Sequence, residues 1–194
     1  MSEAALNAIV IGASAGALDA LSVILPPLPA NYRLPLLLVV HLPPDKESLL
    51  AEILAQKCRL RVREAEDKVP IEAGTLYVAP PNYHMLVEND RCVSLSSDEE
   101  VHFSRPSIDV LFESAADAYG PALGGIVLTG ANDDGAEGLR AIAAAGGAAI
   151  VQQPATAMAA AMPQAALNAC PSARIMGLEA IGAWLQSLHR ETSS

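Results

Sequence analysis

Residues 7–16 read Asn7-Ala-Ile-Val-Ile-Gly-Ala-Ser-Ala-Gly16. A short β-branched run opens into a glycine-bounded turn. Ala17, Leu18, Leu21, Val23, Ile24 and Leu25 then follow as a helix, until Pro26 and Pro27 stop it. Strand, tight turn and helix in immediate succession is the building unit of an α/β fold, and the rest of the chain repeats it. Residues 34–40 are continuously apolar apart from Pro35, as expected of a strand buried on both faces. They end at His41-Leu-Pro-Pro44, and a helix follows from about Asp45, its expected N-cap, to Lys57.

Residues 60–65 and 75–79 read as strands. Residues 85–95 alternate around Asn89-Asp90, which suits an antiparallel hairpin with a two-residue turn. Arg105-Pro-Ser107 begins a helix reaching about Tyr119, with Ser107 or Arg105 at the cap and Pro106 in the first turn. Residues 125–129 form a strand that enters Gly130-Ala-Asn-Asp-Asp-Gly135 and an alanine-rich helix. Further strands are expected at 148–152 and 174–176, with a short helix at 164–169 between them. Leu178, Ile181, Leu185 and Leu188 recur at helical spacing, leaving Trp184 at the margin of that stripe. The expected architecture is α/β, a doubly wound, mainly parallel sheet flanked by helices, with an antiparallel hairpin, in a single domain over residues 1–194.

Composition agrees. The 194 residues are 52% hydrophobic and only 4% aromatic, so the core must be built from Ala, Val, Ile and Leu. Twelve Lys and Arg against twenty-two Asp and Glu give a net charge of −10, which offers no basic stripe to nucleic acid or to an anionic membrane. Cys58, Cys92 and Cys170 are widely separated and form no C-x-x-C, which suits a reducing cytoplasm. No apolar run approaches the roughly 18 residues of a membrane span, and direct membrane insertion is not expected. His41, His84, His102 and His189 lack metal-ligand spacing, so no metal is expected.

Three residues carry candidate chemistry. Gly12-Ala-Ser-Ala-Gly16 matches G-x-S-x-G between a strand and a helix, the context of a nucleophile elbow. Such turns also occur with an incidental serine, or hold a phosphate. G-x-G-x-x-G itself is absent, because Ser14 stands where the second glycine would be. His41 follows the second buried strand directly, although a lone histidine there is more often structural. Asp133 or Asp134 lies in the loop after the strand at 125–129, where an aspartate is usually a turn former or cap. Taken jointly, Ser, His and Asp occupy the carboxyl ends of three different parallel strands, the edge at which doubly wound sheets bind ligands. That set can perform acyl transfer: Ser14 as nucleophile, His41 as general base and an aspartate to orient the imidazole. The chain order Ser, His, Asp differs from the Ser, Asp, His of α/β-hydrolases.

Six ordered blocks make the chain recognisable: Ile9-Val-Ile-Gly-Ala-Ser-Ala-Gly16, Val39-Val-His-Leu-Pro-Pro44, Tyr77-Val-Ala-Pro-Pro-Asn-Tyr-His84, Arg105-Pro-Ser-Ile-Asp-Val-Leu-Phe112, Leu128-Thr-Gly-Ala-Asn-Asp-Asp-Gly-Ala136 and Met162-Pro-Gln-Ala-Ala166. Together they resemble the catalytic domain of the chemotaxis receptor methylesterases, the CheB family. The resemblance implies a serine hydrolase that demethylates glutamate methyl esters on chemoreceptors, often also deamidating receptor glutamines, without metal or organic cofactor. It places the catalytic serine at Ser14, the histidine at His41 and the aspartate at Asp134 rather than Asp133.

The family commonly has Thr after the serine and Met three residues before the aspartate, where this chain has Ala15 and Ala131. Backbone N–H groups at those positions would still serve an oxyanion. His84 and Arg105 lie in family-like blocks and are candidates for the substrate groove, with structural roles as the alternative. Family members in chemotaxis usually carry an N-terminal receiver domain, for which the first strand near residue 7 leaves no room. The expectation is a stand-alone, cytoplasmic signal-transduction enzyme that acts on a methylated chemoreceptor or related sensor and is either constitutive or gated by a separate regulatory protein. The rival expectation is a catalytically weak member that acts as a regulatory receptor- or sensor-binding module.

Overall fold

The protein is described by a computed structural model covering residues 5–42 and 48–190. Every residue of the strand Ala8–Ala13 (β1) is buried, as its unbroken run of small and branched side chains requires of a strand covered on both faces. This strand is the middle of a seven-stranded parallel sheet. Leu36–Val40 (β2) pairs with it from Ile9 opposite Leu36 to Ala13 opposite Val40. Thr75–Val78 (β4) and Arg61–Glu64 (β3) extend that flank. On the other flank lie Leu123–Val127 (β7), Ala148–Gln152 (β8) and Arg174–Met176 (β9). From β1 the chain passes through β2 to the edge strand β3 and steps back to β4 between them; it later crosses to β7 and winds outward through β8 and β9. The switch point between β1 and β7 opens a crevice at the carboxyl ends of the strands.

Successive strand side chains point to opposite faces, and they build two cores. Ile9, Ile11, Leu36 and Leu38 pack under the helices Ala17–Ile24 (α1), Leu50–Lys57 (α2) and Leu178–Arg190 (α6). Ala8, Val10, Leu37 and Val39 pack under Ile108–Tyr119 (α3), Ala136–Ala144 (α4) and Ala161–Ala169 (α5). Trp184 is half-buried at the edge of the α6 stripe, beneath the Arg174 guanidinium. Cys58, Cys92 and Cys170 are free thiols.

Several elements differ in detail from the sequence reading. Helix α2 begins at Leu50, and the cap assigned to Asp45 lies outside the described residues. The hairpin His84–Val87 (β5) and Val93–Ser96 (β6) forms a sheet of its own. It rests on α3, where Ser114 Oγ accepts the Val87 N–H at 3.1 Å. Its loop has three residues rather than two. Glu88 and Cys92 remain hydrogen-bonded, and the left-handed residue is Arg91 at φ 62°, the geometry of a type I turn closed by a bulge. Strand β7 starts two residues early, at Leu123, because Gly124 and Gly125 are tolerated where large side chains from Ile9 and Ile142 crowd them. Ser107 is the α3 cap, accepting the Val110 N–H, so Pro106 precedes the helix instead of lying in its first turn. Among the described residues no helix is long and apolar enough to cross a membrane.

Candidate active site

The carboxyl end of β1 turns sharply at Ser14. The Ser14 N–H donates to the Thr129 carbonyl at 2.9 Å, which ties the turn to the segment leaving β7. Gly16 adopts φ 82°, a conformation open to glycine at little cost, and a Cβ there would also crowd Met158 and Thr129. Gly12 is required for a second reason. A Cβ on it would overlap the Ile108 side chain at the start of α3. Ser14 is thus set half-buried at the start of α1, with Ala15 exposed beside it.

His41 comes off the end of β2, its N–H donating to the Ala13 carbonyl at 3.2 Å. Its Nε2 donates to Asp134 Oδ2 at 2.7 Å. Asp134 itself is fully buried, yet it is well satisfied. Ser107 Oγ donates to it at 2.9 Å, the Ile108 N–H at 2.7 Å and the Asp109 N–H at 3.0 Å. Burial alone would raise its pKa. The His41 bond and the N–H groups of Asp109 and Ile108 outweigh that, holding the carboxyl below its ordinary value and therefore ionised. Asp133, by contrast, is exposed.

An apolar groove of about 420 Å³ holds Ser14 and His41 together, walled by Ala17, Leu18, Leu49 and Ile53. No hydrogen bond among the described residues joins Ser14 Oγ to the ring, and His41 Nδ1 instead faces the Asn132 amide nitrogen at 3.3 Å. The N–H groups of Ala15 and Ala131 are likewise not taken up by a protein acceptor among the described residues. On the far side of His41, a smaller cavity of about 190 Å³ is lined by Glu100, Phe103 and Arg105. Arg105 Nη1 donates to the carbonyls of Ser97 and Asp98 at 3.0 and 2.9 Å.

His84 stands apart from the groove. It is 2% exposed, its Nδ1 accepts the Ser107 N–H at 3.1 Å, and its Nε2 donates to the Glu99 carbonyl at 2.9 Å. The candidate groove position is thus corrected to a supporting one: both ring nitrogens are spent on backbone, and the ring fixes the cap residue that holds Asp134. Ser107, His84 and Asp134 form a second serine, histidine and aspartate set, but Ser107 is fully buried and its hydroxyl is committed to the carboxylate.

Sequence reasoning missed three residues of this region. Asn132 touches the His41 ring and accepts the Asp134 N–H at 3.1 Å through Oδ1. Thr129 Oγ1 ties the Ala15 carbonyl to the Ala159 N–H. Asp109 is buried behind the site. Asn132 lies in the glycine-bounded segment already singled out, where an amide next to a candidate aspartate is a usable signal, and Thr129 directly precedes that segment. Asp109 gave none, since Asp in a helical first turn ordinarily faces water. Among the described residues no group of three or more His, Cys, Asp or Glu side chains is placed to hold a metal ion.

A doubly wound sheet whose switch-point crevice gathers a serine, a histidine and a buried aspartate defines an α/β protein built for chemistry at that edge. The chain belongs to the CheB methylesterase family, whose sequence profile matches residues 9–185. It is 48% identical over 175 residues to a protein-glutamate methylesterase/protein-glutamine glutaminase homologue of Leptospira interrogans, covering 90% of this chain and 91% of that one. It is 36% identical over 192 residues to protein-glutamate methylesterase/protein-glutamine glutaminase 2 of Caulobacter vibrioides, covering 97% of this chain but 55% of that longer protein. The crystal structure of the Thermotoga maritima CheB methylesterase catalytic domain superposes with a TM-score of 0.89 at 28% identity, over 95% of this chain and all of that one.

Proposed function

We propose that this chain is a protein-glutamate methylesterase acting on a chemoreceptor or related sensor in the cytoplasm, with Ser14, His41 and Asp134 as its catalytic residues. The observation that carries the reading is the 2.7 Å bond from His41 Nε2 to a buried, ionised Asp134, at the edge of the groove that also holds Ser14. Ser14 Oγ attacks the ester carbonyl while its proton passes to His41 Nδ1. That nitrogen is released from the long Asn132 contact as the hydroxyl aligns. Asp134 stabilises the resulting imidazolium. The carbon–methoxy bond breaks, His41 returns the proton, and methanol leaves an acyl-enzyme. Water, deprotonated by His41, attacks the acyl carbon, and cleavage of the Ser14 ester releases the glutamate carboxylate. The same acyl-enzyme forms from glutamine with ammonia as leaving group, which accounts for glutaminase in the names of its relatives.

The uncommitted N–H groups of Ala15 and Ala131 supply donors to the oxyanion. Because the donors are backbone, alanine in place of the family's threonine and methionine alters the pocket wall and keeps the hydrogen bonds. Arg105, beside His41 in the smaller cavity, is assigned to substrate contact. Residues 1–194 act as one catalytic domain.

Methanol release from a methylated receptor fragment tests this directly. Parent activity lost in Ser14→Ala is the expected result. Binding of the fragment without turnover by either protein points instead to a regulatory binding module.

A further inference from the structure

The starts of α3 and α4 exchange carboxylates. Asp134, just before α4, caps α3 by accepting the N–H groups of Ile108 and Asp109. Asp109, in the first turn of α3, returns the arrangement: its Oδ1 accepts the Gly135 N–H at 3.0 Å and the Gly138 N–H at 2.6 Å, at the start of α4. Neither helix start has enough side-chain acceptors of its own, since Gly135 stands at the α4 cap position without a side chain. Each aspartate thus satisfies the other helix's orphan donors, and each lies where the helix dipole favours a negative charge.

The interlock fixes the segment that carries the candidate catalytic carboxylate. Gly135 follows Asp134 directly, so the bond from its N–H to Asp109 immobilises the peptide joining the two residues. Gly138 can approach because it has no Cβ; one there would press on Phe112 and on Asp109 itself. The outer oxygen of Asp109, Oδ2, meets His102 Nε2 at 3.4 Å, and His102 Nδ1 lies 3.8 Å from Asp133 Oδ1. The charged and titratable groups around Asp109 are therefore Asp134 and Asp133 from the segment before α4, His102 from the turn before α3, and Glu113 one turn along α3. His102 is held over the carboxylate by a tight turn in which it and Phe103 both have positive φ.

We infer that Asp109 is a positioning residue of the esterase, acting through the Gly135 and Gly138 N–H groups to hold Asp134 against His41. The inference rests on the assignment of Asp134 as the partner of His41. It differs from a purely structural cap in what it controls. Loss of Asp109 should lower turnover by the folded enzyme, because Asp134 would no longer meet the ring at its present distance.

The experiment compares parent, Asp109→Ala, Asp109→Asn and Asp134→Ala. Turnover is normalised to serine titrated by a fluorophosphonate, and the downfield proton of the His41 imidazole is followed by NMR. Asp109→Ala should lose at least tenfold in kcat with KM for the receptor fragment unchanged, and its imidazole proton should shift upfield or broaden. Asp109→Asn keeps an oxygen able to accept both N–H groups and should stay within about threefold of the parent, with the signal retained. Folded Asp109→Ala with parental kcat and an unmoved signal overturns the inference, as does an asparagine variant no better than alanine. If Asp109→Ala does not fold, Asp109→Ser, whose hydroxyl is too short to reach both donors, is judged on the same two readouts. Parental turnover by Asp134→Ala would instead remove the underlying assignment, so the two failures are distinguishable.

Discussion

Thr129 Oγ1 donates to the Ala15 carbonyl at 2.8 Å and accepts the Ala159 N–H at 2.9 Å. One hydroxyl, on the segment leaving β7, therefore fixes the Ala15–Gly16 peptide, one residue past the elbow serine, and the loop before α5. Replacement by valine keeps the volume and removes both hydrogen bonds, each part-buried, a loss of about 0.5–1.5 kcal/mol apiece. Thr129→Val should therefore unfold at lower urea. On the proposed oxyanion role of the Ala15 N–H, it should also lose about tenfold in kcat, because that N–H is no longer held in place. Chemical denaturation and methanol release by the same preparation check both parts. Unchanged kcat would show that the elbow holds its shape without this tie.

Gly12 and Ile108 meet across the strand–helix boundary, and Ile108 also gives its N–H to Asp134. A methyl group at position 12 would push α3 away and carry the Asp134 cradle with it. Gly12→Ala should cost about 1–3 kcal/mol of stability, the range for overpacking, together with most of the activity. Trimming the neighbour should repair part of both. Gly12→Ala/Ile108→Ala is expected to be less damaged than the sum of the single changes, and a double-mutant cycle measures that coupling. Strict additivity would contradict the contact.

The main sheet was legible because each of its central strands is a continuous apolar run closed by Gly or His, and parallel strands buried on both faces leave that signature. Ser14, His41 and Asp134 could be placed on one edge for the same reason, since strand ends locate loop residues. The hairpin loop was misread because Asn89-Asp90 carries the composition of a two-residue turn, while the left-handed position fell to Arg91, held there by backbone bonds to Glu88. His84 was ambiguous because its partners, Ser107 and Glu99, are distant in sequence. The Asp109 interlock was invisible for the same reason. Its donors lie 26 and 29 residues away, and no local pattern records a carboxylate that caps another helix.

Asp134 and Asp109 should give opposite pH dependences of stability. The carboxyl of Asp134 lies below its ordinary 3.8 in the folded protein. Its contribution is thus fully present above about pH 4 and is lost as pH falls through the lower folded value. Asp109 is raised from 3.8 to about 6, by burial first and then by the charge of Asp134, against the bond from Gly138. Its folded form holds the proton more tightly, so its contribution is greatest below about pH 4 and is lost as pH rises through about 6. Urea midpoints of parent, Asp134→Asn and Asp109→Asn from pH 3 to 8 read both. The advantage of the parent over Asp134→Asn should shrink below about pH 4. Asp109→Asn should gain on the parent between about pH 4 and 7, and parallel curves would remove the linkage for either residue.

The groove wall offers a separation of substrate fit from chemistry. Leu18, Leu49 and Ile53 are exposed apolar side chains lining the groove that holds Ser14. On the proposed function a receptor segment must cover them to bring its ester to Ser14, whereas a small activated ester such as p-nitrophenyl acetate need only reach the elbow. Fully burying an apolar side chain of this size is worth about 1.5–3 kcal/mol, and because Ile53 is 36% exposed a partner that covers it gains about a third of that. Ile53→Asp removes that gain and sets a charge where a partner would have to desolvate it. The variant should therefore raise KM for a methylated receptor fragment by at least tenfold, while kcat/KM for the small ester stays within about twofold. Equal losses on both substrates would mean that the helix carrying Ile53 shapes the elbow itself, and a parental KM for the receptor fragment would place the receptor on the Arg105 side of His41.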